Sequence, residues 1–144
     1  MKRLRLALAT AASASILAVV SMQPASAVSR NWQLASSGAN GSKVYVDTAT
    51  WTYVTDEPSQ ILFWEKTNGL NRRVGSRIVV QTISKVIIDC ADDTFTYGPS
   101  TSYDRRGTVV QSFTTWDAKW SDIIPDSIAE AERDYVCSDW DSTS

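Results

Sequence analysis

The longest run of strand-forming residues in the chain covers residues 77–90, RIVVQTISKVIIDC, where polar and apolar positions fall into two distinct faces. The even positions, Ile78, Val80, Thr82, Ser84, Val86, Ile88 and Cys90, make one mostly apolar face. The odd positions, Arg77, Val79, Gln81, Ile83, Lys85, Ile87 and Asp89, alternate aliphatic side chains with polar or charged ones. Successive strand residues point to opposite faces, so a strand fits this stretch and an amphipathic helix does not. Shorter β-favoured stretches surround it. Residues 43–47 alternate cleanly, and residues 51–55, 61–67 and 108–115 follow the same reading. Residues 94–103 read as a less regular strand, interrupted near Gly98 and Pro99. Trp32 and Leu34 open a first strand. Turn signals separate these runs: Asn40-Gly41, residues 56–59, residues 68–75, residues 91–93 and residues 104–107.

Residues 116–124 read as a linker rich in aromatics and acids. Helix signals follow together. Ser127 and Glu130 have capping-box spacing after Pro125. Ile128, Ala131 and Tyr135 recur at helical spacing, and the helix should end near Cys137. So short a helix is marginal alone and needs a tertiary anchor. The expected fold class is α+β: an antiparallel β-sheet of about six strands with one C-terminal α-helix packed on one face. Cys90 shares the parity of Val86 and Ile88, so the helix should cover the even face of residues 77–90.

The beginning of the chain changes the count of folding residues. Lys2, Arg3 and Arg5 are followed by an apolar and small-residue run, then by Ala25-Ser26-Ala27 after Pro24. This resembles a cleavable secretory signal over residues 1–27. Residues 28–144 then form a single exported domain, with no membrane insertion after cleavage. They carry 11 basic and 16 acidic side chains, a net charge of −5. That balance argues against nucleic acid as a partner. The only two cysteines, Cys90 and Cys137, read as one disulfide in an oxidising compartment. Histidine is absent, which excludes a Ser-His-Asp triad and every His-based metal site. No metal and no cofactor is expected.

Candidate binding residues come from two compositional features. If the long strands form a meander, the turns at 68–75 and 104–107 fall at one end of the sheet. That end gathers Arg72, Arg73, Arg105 and Arg106, with Arg77 beside them, and a guanidinium cluster suits a carboxylate-rich or sulfated partner. The plain alternative is solvated turn charge. Six tryptophans are many for this length. Trp32, Trp51 and Trp64 are expected in the core. Trp116 and Trp120 are candidates for a stacking surface for sugar or protein. Val79, Ile83 and Ile87 make the odd face a candidate homodimer surface. Paired carboxylates that could serve hydrolysis occur at Asp92-Asp93 and in the set Asp117, Asp122 and Asp126. They sit in turns with no evident cleft, so a non-enzymatic role is expected.

Taken in order, these signatures resemble the surface-adhesin protein E-like family of bacterial secreted proteins. The residues that carry the likeness are Trp32, Val44-Tyr45-Val46-Asp47, Phe63-Trp64, Ile88-Asp89-Cys90, and Tyr103 with residues 107–112. Trp120, Pro125-Asp126-Ser127 and Val136-Cys137 complete it. The resemblance implies an antiparallel sheet with a C-terminal helix and a possible dimer. It also implies an adhesin for host matrix or plasma proteins. The founding type is lipid-anchored, and this chain has no cysteine for such an anchor near residue 27. Periplasmic, secreted and surface locations therefore all stay open. The alternative function is a periplasmic accessory or inhibitor module that recognises an envelope component or a foreign enzyme.

Overall fold

The computed structural model describes residues 29–138; the leader reading at 1–27 and the polar tail at 139–144 lie outside them. The chain forms β1 (Trp32–Ser37), β2 (Lys43–Asp47), β3 (Thr52–Val54), β4 (Glu57–Val74), β5 (Arg77–Asp89), β6 (Thr94–Tyr103), β7 (Val109–Phe113), β8 (Ser121–Asp122) and α1 (Ile128–Val136). The strands make one antiparallel sheet in the order β1-β2-β4-β5-β6-β7, with β3 and β8 added against β4 and β6. Strand β5, the alternating stretch, lies between β4 and β6.

One sheet face carries the core. Val86 of β5 pairs with Phe63 of β4, and Ile88 pairs with Ile61. These four pack with Val46, Cys90, Val136 and Cys137. Burying each large aliphatic or aromatic side chain contributes about 1.5–3 kcal/mol. Helix α1 closes this face, as the parity of Cys90 requires. Its start is fixed by Ser127, whose hydroxyl accepts from Glu130 N at 3.1 Å. Glu130 reaches back and accepts from Asp126 N at 2.7 Å. Its end is fixed by the Cys90–Cys137 disulfide, with Cα atoms 5.8 Å apart.

Two expected connections turn out differently. Residues 68–75 are not a loop, because β4 runs on to Val74 and reverses through Gly75 and Ser76 alone. Asn68 pairs with Gln81 and Arg72 with Val79, so residues 69–71 face Val80 in a bulge. Gly69 takes φ 76° there, and a Cβ on it would lie 2.9 Å from Gly41 O. The interruption expected near Gly98 and Pro99 is present as a second bulge, standing opposite Lys85 between the pairs Val86–Tyr97 and Ser84–Ser100. The expected linker at 116–124 contains β8 and runs along β6 through Asp117 N to Tyr97 O at 2.8 Å.

Candidate binding surfaces

Hairpin connections alternate between the ends of a meander. The β4–β5 and β6–β7 reversals therefore share one end, as the arginine reading requires. A groove of about 380 Å³ lies there, lined by Asn71, Arg77, Ile78, Asp104, Arg105 and Arg106. Arg77 is committed to the fold: its guanidinium pairs with Asp104 and donates to Val109 O at 2.9 Å. Asp104 also accepts from Arg106 N and Thr108 N, which shapes the turn. The pairing with Arg77 and these bonds hold the Asp104 carboxyl below its ordinary value.

Arg105 and Arg106 are exposed on this turn. Arg72 and Arg73 are exposed on the neighbouring limb, opposite Val79 and Ile78. Being successive strand residues, they point to opposite faces. The structure thus gathers Arg105 and Arg106 in the groove and leaves Arg72 and Arg73 beside it. Among the described residues, no carboxylate lies within salt-bridge distance of any of these four. The acids at the opposite end are partly consumed. Asp89 accepts from Gln60, Ala91 N and Asp92 N, and Asp93 pairs with Arg133.

The face away from the helix differs from expectation. Of the three tryptophans assigned to the core, only Trp51 packs against it. Trp32 and Trp64 lie on the opposite face under cations. Lys66 Nζ stands 4.4 Å from the Trp32 ring centre and 4.9 Å from that of Tyr45. Arg30 and Lys85 stand 4.8 and 5.3 Å from Trp64. In each case the charged group itself stands over a ring, and burial pushes the Lys66 ammonium below its ordinary value. Ile83 and Ile87 share this face and are half-buried. Val79 is 0% exposed within a single chain. It has no surface left to offer a second copy, so the candidate dimer face reduces to Ile83 and Ile87.

Trp116 and Trp120 are exposed, as a binding role needs. Trp116 lies on Gly98, where a Cβ would come within 2.7 Å of its ring. With Tyr97, Ser100, Phe113, Thr115 and Asp117 it lines a second groove of about 380 Å³. Trp120 is not among the residues lining that groove.

Sequence reasoning missed a pair of acids under the helix. Glu65 of β4 is 5% exposed and Glu132 of α1 is 1% exposed. Glu65 Oε1 accepts from Thr67 Oγ1 at 2.6 Å, while Glu65 Oε2 and Glu132 Oε1 have no hydrogen-bond partner among the described residues. Burial pushes both carboxyls up, and their mutual repulsion pushes Glu132 up further. A proton retained by the pair supplies the donor that two facing carboxylates lack. Tyr97 lies beside them; burial and the two carboxyls push its phenol up. The signals were present. Glu65 has the parity of Phe63, and Glu132 stands midway between Ile128 and Val136 on one helical stripe.

Among the described residues, no group of three or more His, Cys, Asp or Glu side chains is placed to hold a metal ion. Among the same residues, no helix is long and apolar enough to cross a membrane.

No curated protein matches the chain. Solved structures of Haemophilus influenzae protein E do resemble it. One shares 18% identity with a TM-score of 0.55, covering 84% of this chain and 94% of that one. A second crystal form gives 18% identity and a TM-score of 0.53, covering 68% and 82%. Protein E from a non-typeable strain gives 15% identity and a TM-score of 0.54, covering 84% of each chain. Likeness at this identity establishes the shared fold: an open antiparallel sheet with one C-terminal helix. The sequence itself matches the family described as Surface-adhesin protein E over residues 32–138. That description implies an exported or surface location. With the match spanning both cysteines and every described strand and helix, the chain belongs to the surface-adhesin protein E family.

Proposed function

We propose that this protein is an exported, non-enzymatic binding domain that grips a carboxylate-rich segment of a host matrix or plasma protein. The observation that carries this reading is the end of the sheet holding Arg72, Arg73, Arg105 and Arg106. Four exposed guanidiniums have no acidic partner among the described residues, in a domain whose residues 28–144 carry a net charge of −5. A fold that pairs Arg77, Arg30 and Arg133 with carboxylates leaves these four available. Arginine suits carboxylate recognition because its planar fork donates two parallel hydrogen bonds. Family membership supports the adhesin reading. The half-buried Ile83 and Ile87 support a homodimer formed through the opposite face.

The test is parallel capture of immobilised matrix and plasma proteins and of bacterial envelope extract, across a salt series. Exposed charge contacts are screened as the Debye length falls to about 3 Å at 1 M salt. The proposal expects saturable binding to a host protein that weakens steeply with salt. Binding confined to envelope extract overturns the adhesin reading and favours a periplasmic accessory or inhibitor module.

A further inference from the structure

Helix α1 does not cover the whole core-side face. Its partners lie toward Val46, Ile61 and Phe63, and the side formed by β6 and β7 carries the second groove. Three aromatic residues line that groove: Tyr97 at 41%, Phe113 at 54% and Trp116 at 41% exposure. We propose that this groove is a binding site for a neutral saccharide, distinct from the arginine end of the sheet.

Two of the rings are fixed before any ligand arrives. Tyr97 has its phenol among the buried Glu65 and Glu132 carboxyls while the rest of the residue reaches the groove. It also packs edge-to-face against Phe95, with ring centres 5.4 Å apart. Trp116 rests on the backbone of Gly98, in a bulge where a side chain would displace it. The following residue ties the segment down, since Asp117 N donates to Tyr97 O and Asp117 O accepts from Thr96 Oγ1 at 3.1 Å. Rigid aromatics offer contact area at little entropic cost, so the binding energy is not spent on ordering them.

The lining combines apolar rings with polar groups. Ser100 and Thr115 supply hydroxyls and Asp117 supplies a carboxylate, beside three aromatic residues. This mix suits a pyranose, which presents an apolar C–H face to a ring and hydroxyls at its rim. No Lys or Arg lines the groove, and Asp117 repels anions, so the sugar should be uncharged. The volume of about 380 Å³ lies at the lower end of the range for small-ligand sites. An extended peptide would need more length.

The test is calorimetric titration of the intact domain with neutral tetrasaccharides of glucose, galactose and N-acetylglucosamine. The expected result is saturable binding of at least one, with Trp116→Ala and Gly98→Ala each weakening it by tenfold or more. Trp116→Phe should retain part of the binding, and thermal melts of all variants show whether the fold persists. Replacing Arg105 and Arg106 by Ser should leave sugar binding unchanged, which separates this site from the protein-binding end. No saturable binding of any of these sugars up to about 10 mM overturns the proposal. Binding that survives Trp116→Ala in a folded protein also overturns it. Capture of a proline-rich peptide in place of any sugar, lost on Trp116→Ala, would reassign the groove to peptides.

Discussion

Glu65 on β4 and Glu132 on α1 bury their carboxyls together between the sheet and the helix, with one oxygen of each left without a hydrogen-bond partner among the described residues. Both are pushed up from the ordinary value of 4.5. The folded protein therefore holds a proton that the unfolded chain has already released. Stability is full below about pH 4.5 and falls as pH rises through the folded value of the pair. Asp47 and Asp89 act in the opposite sense. Their hydrogen bonds hold them below 3.8, so their contribution is present above that value and is lost as pH falls through the folded value. Melting temperature should thus peak in mildly acidic buffer and decline toward neutral pH. Glu132→Gln should flatten that decline and stabilise the neutral protein by about 1–3 kcal/mol, the cost of an unsatisfied buried polar group. Thermal melts from pH 4 to 9 check this; a wild-type curve that climbs steadily to neutral pH contradicts it.

The disulfide closes a separation of 47 residues. On the chain-entropy view its loss costs about 4 kcal/mol. The double change Cys90→Ala with Cys137→Ala should lower the urea midpoint accordingly. The loss should be seen first in α1, whose nine residues have no other covalent tie. Hydrogen exchange resolves this, since uniform loss of protection across sheet and helix would contradict it.

Gly69 and Gly75 both adopt positive φ, but only Gly69 meets neighbouring backbone. Gly69→Ala should cost about 1–3 kcal/mol more than Gly75→Ala, because strain and a backbone clash add at the first site and strain acts alone at the second. Urea midpoints of the two variants give the comparison. Equal losses would show that the bulge yields freely.

Ile83 and Ile87 present the aliphatic part of the sheet face that α1 does not cover. Ile83→Asp should convert a dimer to monomer, and light scattering coupled to gel filtration reads the outcome. A mass unaffected by this change would leave that face as a cation-covered sheet surface only.

Much of the fold was legible because one property decided it. Alternation placed β5, the parity of Cys90 placed the helix, and Ser127 with Glu130 placed its start. The bulge at residues 69–71 was not legible. Asn68-Gly69 and the arginines after it have turn composition, and only the pairing of Arg72 with Val79 reveals a continuing strand. Trp32 and Trp64 were misplaced because size alone suggests a core, whereas cations can cover large rings on an open face. Glu65 and Glu132 were overlooked because charge suggests solvent, although their positions on the apolar stripes pointed inward. At the candidate site, topology brought the four arginines to one end, but the pairing of Arg77 with Asp104 could be seen only in three dimensions.

On the proposed function, Arg72, Arg73, Arg105 and Arg106, which have no acidic partner among the described residues, grip the partner. Replacing Arg72, Arg73, Arg105 and Arg106 by Ser, with Arg77 kept to preserve its bond to Asp104, tests it most directly. Surface plasmon resonance against the host protein captured by the wild type should show affinity reduced by tenfold or more, with most of the salt dependence gone. Unchanged affinity in a variant that melts like the wild type would contradict the account.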